Sequence, residues 1–190
     1  TKEKDKGKGL KNKHYKWKRI FWSTMKFLLN TINKFKNRNS KINRASINYR
    51  DSKHLGVLYK YIDENKQKAL NDFSKKLKSD GKRVDFLPLI SKKNADNRYF
   101  KTFKDEEINF LGKWSNSNVN LFIYQQYDFI IYPDLNLSRE MENILIRSHA
   151  KCRVGFIHNR LNLFEFLIKS DKEYDIDHRL NKLYSYLKKL

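Results

Sequence analysis

Cysteine is nearly missing from this chain. Cys152 stands alone, so no intrachain disulfide can form and a disulfide-stapled secreted scaffold is excluded. Long apolar runs are missing as well. Stretches such as 27–29 and 129–132 fall far short of the roughly 20 residues that span a bilayer. The basic start lacks a continuous apolar segment and a small-residue cleavage site, so no signal peptide is read and a cytoplasmic location is the expectation. Acidic residues are scarce too. The chain has 21 Asp and Glu against 42 Lys and Arg, a formal net charge of +21. The first 50 residues hold 16 of the bases and 2 of the acids, which places +14 of the excess in the first quarter of the chain. An asymmetry of this kind points to a polyanionic partner, either nucleic acid or an anionic membrane surface.

What is present suffices for a folded core. Hydrophobic residues make up 39% and aromatics 14% of 190 residues, enough for one domain with appendages. Residues 1–14 are too charged and too poor in apolar groups to offset the entropy of ordering, and read as a disordered basic arm. In 15–36, Trp17, Phe21, Met25, Leu28, Ile32 and Phe35 recur at steps of three and four, widened by Ile20, Phe27 and Leu29. This predicts an amphipathic helix with its lysines mostly off the apolar face. A polar, basic connection runs to residue 53.

From residue 54 the pattern alternates between strand and helix. Strands are predicted at 54–59, 83–90, 127–132, 152–156 and 164–168, and helices at 65–79, 119–126, 137–149 and 176–190. Asp80-Gly81 stops the first of these helices and Ser138 is a candidate N-cap. Residues 91–118 read as irregular, anchored by Phe100, Phe103, Phe110, Leu111 and Trp114. Apolar strands alternating with helices imply an α/β fold: a Rossmann-like three-layer sandwich with a mainly parallel sheet, spanning 54–190 and preceded by the basic arm and the amphipathic helix.

The chemistry-bearing motifs are absent. Only six glycines occur, and none forms G-x-G-x-x-G or a P-loop. The first strand runs instead into Tyr61-Ile62-Asp63-Glu64, whose carboxylates suit a helix N-terminus but would repel a phosphate. The histidines His14, His54, His149, His158 and His178 are scattered, with no metal-ligand spacing. His149 and His158 flank the fourth strand and could meet. Cys152 opens an apolar strand, where cysteine is usually inert. Asp128 and Asp134 bracket the third strand, with Asp134 read as a cap for the helix that follows. No catalytic residue, metal site, cofactor or small-molecule substrate is predicted.

One stretch is recognisable. Residues 128–156 open a hydrophobic strand with Asp128, continue through Ile130, Ile131, Leu137, Ile144 and Ser148, and end on Ala150-Lys151-Cys152-Arg153-Val154-Gly155. This resembles a small uncharacterised bacterial family best known from Bacteroidota, a domain of unknown function. Residues 55–58 and 103–114 resemble it too, and the similarity covers about 25 to 190. More distantly, 128–156 is similar to the acceptor half of heptosyltransferase-type glycosyltransferases. That likeness implies the fold, since the chain has no room for their second, nucleotide-sugar-binding half.

The composition and these motifs together predict a non-catalytic binding protein whose basic arm engages RNA on a ribosome or other ribonucleoprotein. Lysines would neutralise phosphates and aromatics would stack on unpaired bases. The residues that carry this expectation are Lys11, Lys13, His14, Tyr15, Lys16, Trp17, Lys18, Arg19, Lys26, Lys34, Lys36 and Arg38. The alternatives are a peripheral protein held on an anionic membrane surface by helix 15–36, a protein-binding module using the same helix, and a glycosyltransferase-like half-domain.

Overall fold

Strands that are apolar nearly throughout must be covered on both faces, and the sheet meets that demand. The computed structural model describes residues 24, 27–37, 42–45, 47–90, 102–156, 161–169 and 175–190. The strands are β1 (His54–Lys60), β2 (Arg83–Leu89), β3 (Phe129–Tyr132), β4 (Cys152–Phe156) and β5 (Phe166–Ile168). They form one all-parallel sheet in the order β2-β1-β3-β4-β5. The helices are α1 (residues 27–37), α2 (Glu64–Ser79), α3 (Ser117–Tyr124), α4 (Arg139–Arg147) and α5 (Ile176–Leu187). The α/β architecture expected from the sequence is the one observed.

Alternation along the strands splits the core in two. Leu55, Val57, Tyr59, Phe129 and Ile131 pack with Leu70, Phe73 and Leu77 of α2 and Leu180, Leu183 and Leu187 of α5. Leu58, Ile130 and Tyr132 pack on the other face with Val119 and Ile123 of α3 and Met141, Ile144 and Leu145 of α4. Short polar side chains start the helices, each accepting an otherwise orphaned backbone N–H. Asp63 takes that of Lys66 at 2.8 Å, Ser138 that of Met141 at 3.3 Å and Asp175 that of His178 at 2.7 Å. Gly81, at φ 77°, turns the chain out of α2.

The 102–118 segment departs from expectation at two anchors. Phe103 and Trp114 are buried, but Phe110 and Leu111 are half-exposed, and Phe100 lies outside the described residues. The reason is a tight turn. Ile108 and Trp114 pair across it, and the Asn109 side chain accepts the N–H groups of Leu111 and Lys113. The ladder points inward and the tip points out.

Contacts with the domain begin before β1. Arg44 donates to the carbonyls of Ile146 and Ser148, orphaned acceptors at the end of α4, and to that of Ala150 in the connection to β4. Buried Tyr49 donates to Asp80 at 2.8 Å, and Lys82 donates to the carbonyls of Tyr49, Arg50 and Ser52.

Candidate functional site

Three places bring polar groups together. The first is the carboxyl edge of the sheet, where β2 lies to one side of β1 and β3 to the other. Ligands of open parallel sheets bind at such a reversal. Here it is filled by the protein itself. The Lys66 ammonium, from the first turn of α2, donates to the Lys60 carbonyl and to the Asp134 carboxylate. Asp134 also accepts the Lys60 N–H at 2.7 Å. Both side chains are largely buried, 7% and 12% exposed. Burial pushes the Lys66 ammonium below its usual range, and Asp134 pulls the other way. Asp134 therefore ties β3 to β1 and does not cap α4, whose cap is Ser138. Asp128 does similar work at the opposite edge. It accepts the N–H groups of Lys53 and His54 and bonds Lys151 at 2.8 Å. Burial would raise its carboxyl, but these donors hold it below the usual range.

The second place lies at the amino edge, on the α3 side. Gly56 has no side chain, and a Cβ there would sit 2.8 Å from the ring of Phe122 and 3.2 Å from that of Tyr127. The two aromatics close over β1 because of that gap. Beside them the His54 ring is bonded to Asp85 at 2.7 Å and to Gln125 at 3.3 Å. The Tyr127 hydroxyl donates to the same Asp85 oxygen at 3.3 Å, and burial together with the Asp85 charge raises it well above its usual value. A cleft of about 210 Å³ opens here, lined among others by Arg83, Asp85, Leu87, Phe122 and Gln125. Both His54 nitrogens are engaged and its ring is not part of the lining. The imidazole buttresses Asp85.

The third place is the seam between α1 and α4. Asn33, fully buried, donates to the Arg139 carbonyl and to Glu142, and accepts from Asn143 at 2.8 Å. Asn143 in turn accepts from the Trp114 indole at 2.9 Å. Arg139 donates to Asn30 one turn earlier, so the two helices run in the same direction. The seam runs through Leu29, which widens the predicted stripe, and Asn33, which lies outside it; Ile32 of the stripe is half-buried against Gly112. Leu28 and Phe35 of that stripe are 42% and 68% exposed, and Phe27 is 70% exposed. A buried amide network decided the face, and hydrophobic periodicity does not register one. Gly112, at φ 70°, lies against the same seam, where a Cβ would meet the Asn143 amide at 2.8 Å.

At the far end of the seam Arg147 donates to the Gly112 carbonyl at 2.6 Å. Lys36 is half-buried beside it. Burial lowers its pKa, and the neighbouring charges of Arg147 and Lys113 lower it further. Arg147 lies in the last turn of α4, where the dipole favours cations.

The chain belongs to DUF6913, a family of unknown function. Its model matches residues 25–190, so α1 lies inside the matched region. No curated protein and no solved structure matches the chain.

Of the residues singled out in the sequence, Lys34 is exposed on α1 and Lys36 lies at the seam with Arg147 and Lys113. Lys11, Lys13, His14, Tyr15, Lys16, Trp17, Lys18, Arg19, Lys26 and Arg38 lie outside the described residues, as does His158. His149 packs its ring edge-on to Tyr124. Among the described residues no group of three or more His, Cys, Asp or Glu side chains could hold a metal ion. No described helix is long and apolar enough to cross a membrane. Sequence reasoning missed the amino-edge cleft. Its signal was there: His54 and Asp85 are polar residues inside otherwise apolar strand runs, and Gly56 interrupts one of them.

Proposed function

We propose that this chain is a non-catalytic, single-stranded-RNA-binding protein of a ribosome or another ribonucleoprotein. In this reading its basic N-terminal segment and the outer face of α1 take the polyanion. The observation that carries it is the division of labour on α1. Leu29 and Asn33 anchor the helix, which leaves Phe27 and Phe35 exposed beside exposed Lys34. Phe27 and Lys34, seven apart, form one column; Leu28 and Phe35 form the next. Aromatics among lysines are what a single strand needs, since every base has a face to stack and every phosphate a charge to meet. The uneven charge of the first 50 residues supports the same partner. A nucleotide-sugar reading would require the β1–β3 crevice that Lys66 and Asp134 fill.

Filter binding of the full chain to an unstructured RNA oligomer tests this reading. Affinity is expected to fall steeply with salt, with a log–log slope of about −0.7 for each phosphate contacted. Binding that ignores salt would overturn it. The exposed Leu28–Phe35 column favours a second reading, insertion into the headgroup layer of an anionic membrane.

A further inference from the structure

We propose that the amino-edge cleft binds a nucleobase bearing an exocyclic amino group, presented by a free nucleotide or by an RNA strand. The site is separate from the α1 face and does not rest on the polyanion reading.

The case begins with Asp85. One of its oxygens, Oδ2, is held by His54 at 2.7 Å and by Tyr127 at 3.3 Å. The other, Oδ1, has Arg83 Nε 3.9 Å away, beyond hydrogen-bond range. The carboxylate is thus fixed in orientation by two donors, the half-buried His54 and the buried Tyr127, while among the described residues its second oxygen meets only the long ion pair with Arg83 and accepts no hydrogen bond. The side chain is 23% exposed, and it lines the cleft. A pre-oriented acceptor of this kind calls for a ligand N–H donor.

The rest of the lining narrows the class. Leu87 and Phe122 give an apolar wall, Gln125 adds an amide, and Arg83, with its side chain 71% exposed, stands nearby. The volume of about 210 Å³ is below the roughly 300–1,000 Å³ of drug-sized pockets, and suits one planar ring system. Cytosine, adenine and guanine each carry an exocyclic N–H₂ that Asp85 Oδ1 can accept. In uracil a carbonyl oxygen flanks the ring N–H on either side, and both would face the carboxylate. Arg83 is placed to meet a phosphate on the same nucleotide.

Titrations of the full chain with CMP, AMP, GMP and UMP, followed by NMR shifts of cleft resonances, test the inference. The three amino-bearing nucleotides are expected to bind, and UMP at least about tenfold more weakly, because a site built to accept an N–H penalises an analogue that lacks it. Asp85→Asn should remove that discrimination. Arg83 is exposed, so Arg83→Ala should leave the fold intact and weaken CMP severalfold more than it changes cytidine, which has no phosphate. Oligo(C) against oligo(U) separates a strand-borne base from a free nucleotide: equal oligomer affinities with discriminated mononucleotides assign the cleft to free nucleotides. Equal binding of all four mononucleotides, no binding of any, or a CMP affinity indifferent to Arg83→Ala would overturn the proposal. None of these results depends on the salt response of long RNA, so the two readings fail separately.

Discussion

The Lys66 ammonium is bonded to the Asp134 carboxylate across the point where the strand order reverses, 68 residues apart in sequence and largely out of water. Two charges in such a place attract strongly, yet each has lost its hydration. The net worth of the pair is therefore small, and the cost of orphaning one member is large.

The pair should behave accordingly under mutation. Lys66→Met leaves a buried carboxylate with only the Lys60 N–H, and is expected to cost about 3–5 kcal/mol. Adding Asp134→Asn removes the orphaned charge while keeping an acceptor for that N–H, and should recover much of the loss. Urea unfolding of the two variants measures it. A double variant no more stable than Lys66→Met would show that the charges are not coupled.

Much of the fold was legible in the sequence because its signals are local. Apolar runs gave the strands, Ser138 started a helix through a side chain that acts within one turn, and Asp80-Gly81 ended one through the local backbone. What was not legible depends on partners distant in sequence. Asp134 was noticed at the end of its strand, but its partner is on α2. The α1 face was misjudged because its most buried side chain is an asparagine, satisfied by α4 more than 100 residues away. Phe110 and Leu111 look like core residues until the Asn109 turn places them at its tip.

The α1 seam makes the segment before β1 part of what holds the domain. Removing residues 1–53 would strip away Leu29, Asn33, Arg44 and Tyr49. It would leave Asn143 and the last carbonyls of α4 without those partners. A marked fall in melting temperature is expected relative to the full chain. Asn33→Leu isolates one contribution and should cost about 1–3 kcal/mol, since the buried Asn143 loses its acceptor. If the truncated chain melts where the full chain does, the seam contributes nothing to stability.

Cys152 gives a prediction with a definite pH window. Burial, reinforced by Glu165 and opposed by Arg153 and Arg44, pushes its thiol up to about 12. The unfolded thiol ionises near 9, so between these values the unfolded state has released a proton that the folded state retains. Stability from this group is intact below about 9 and is lost as pH rises towards 12. Cys152→Ala should therefore flatten the decline of melting temperature across that interval. In the native protein at pH 8 the thiol should resist iodoacetamide and react only on unfolding. Rapid native alkylation would contradict the burial.

The outer face of α1 separates RNA from membrane through a double substitution and a single one. Phe27 and Phe35 are exposed, so replacing both with Ala should change stability by no more than about 0.5 kcal/mol each. If they stack on bases, each is worth about 1–3 kcal/mol of binding, and RNA affinity should fall at least tenfold for the pair. Leu28→Ser removes apolar area from the same face but no stacking surface. RNA binding should tolerate it, whereas vesicles rich in phosphatidylserine would lose affinity with each apolar side chain removed. Melting curves of every variant confirm that only the surface has changed. If RNA binding survives Phe27→Ala with Phe35→Ala while vesicle flotation collapses in both variants, α1 is a membrane-contacting helix and the RNA reading of its outer face is wrong.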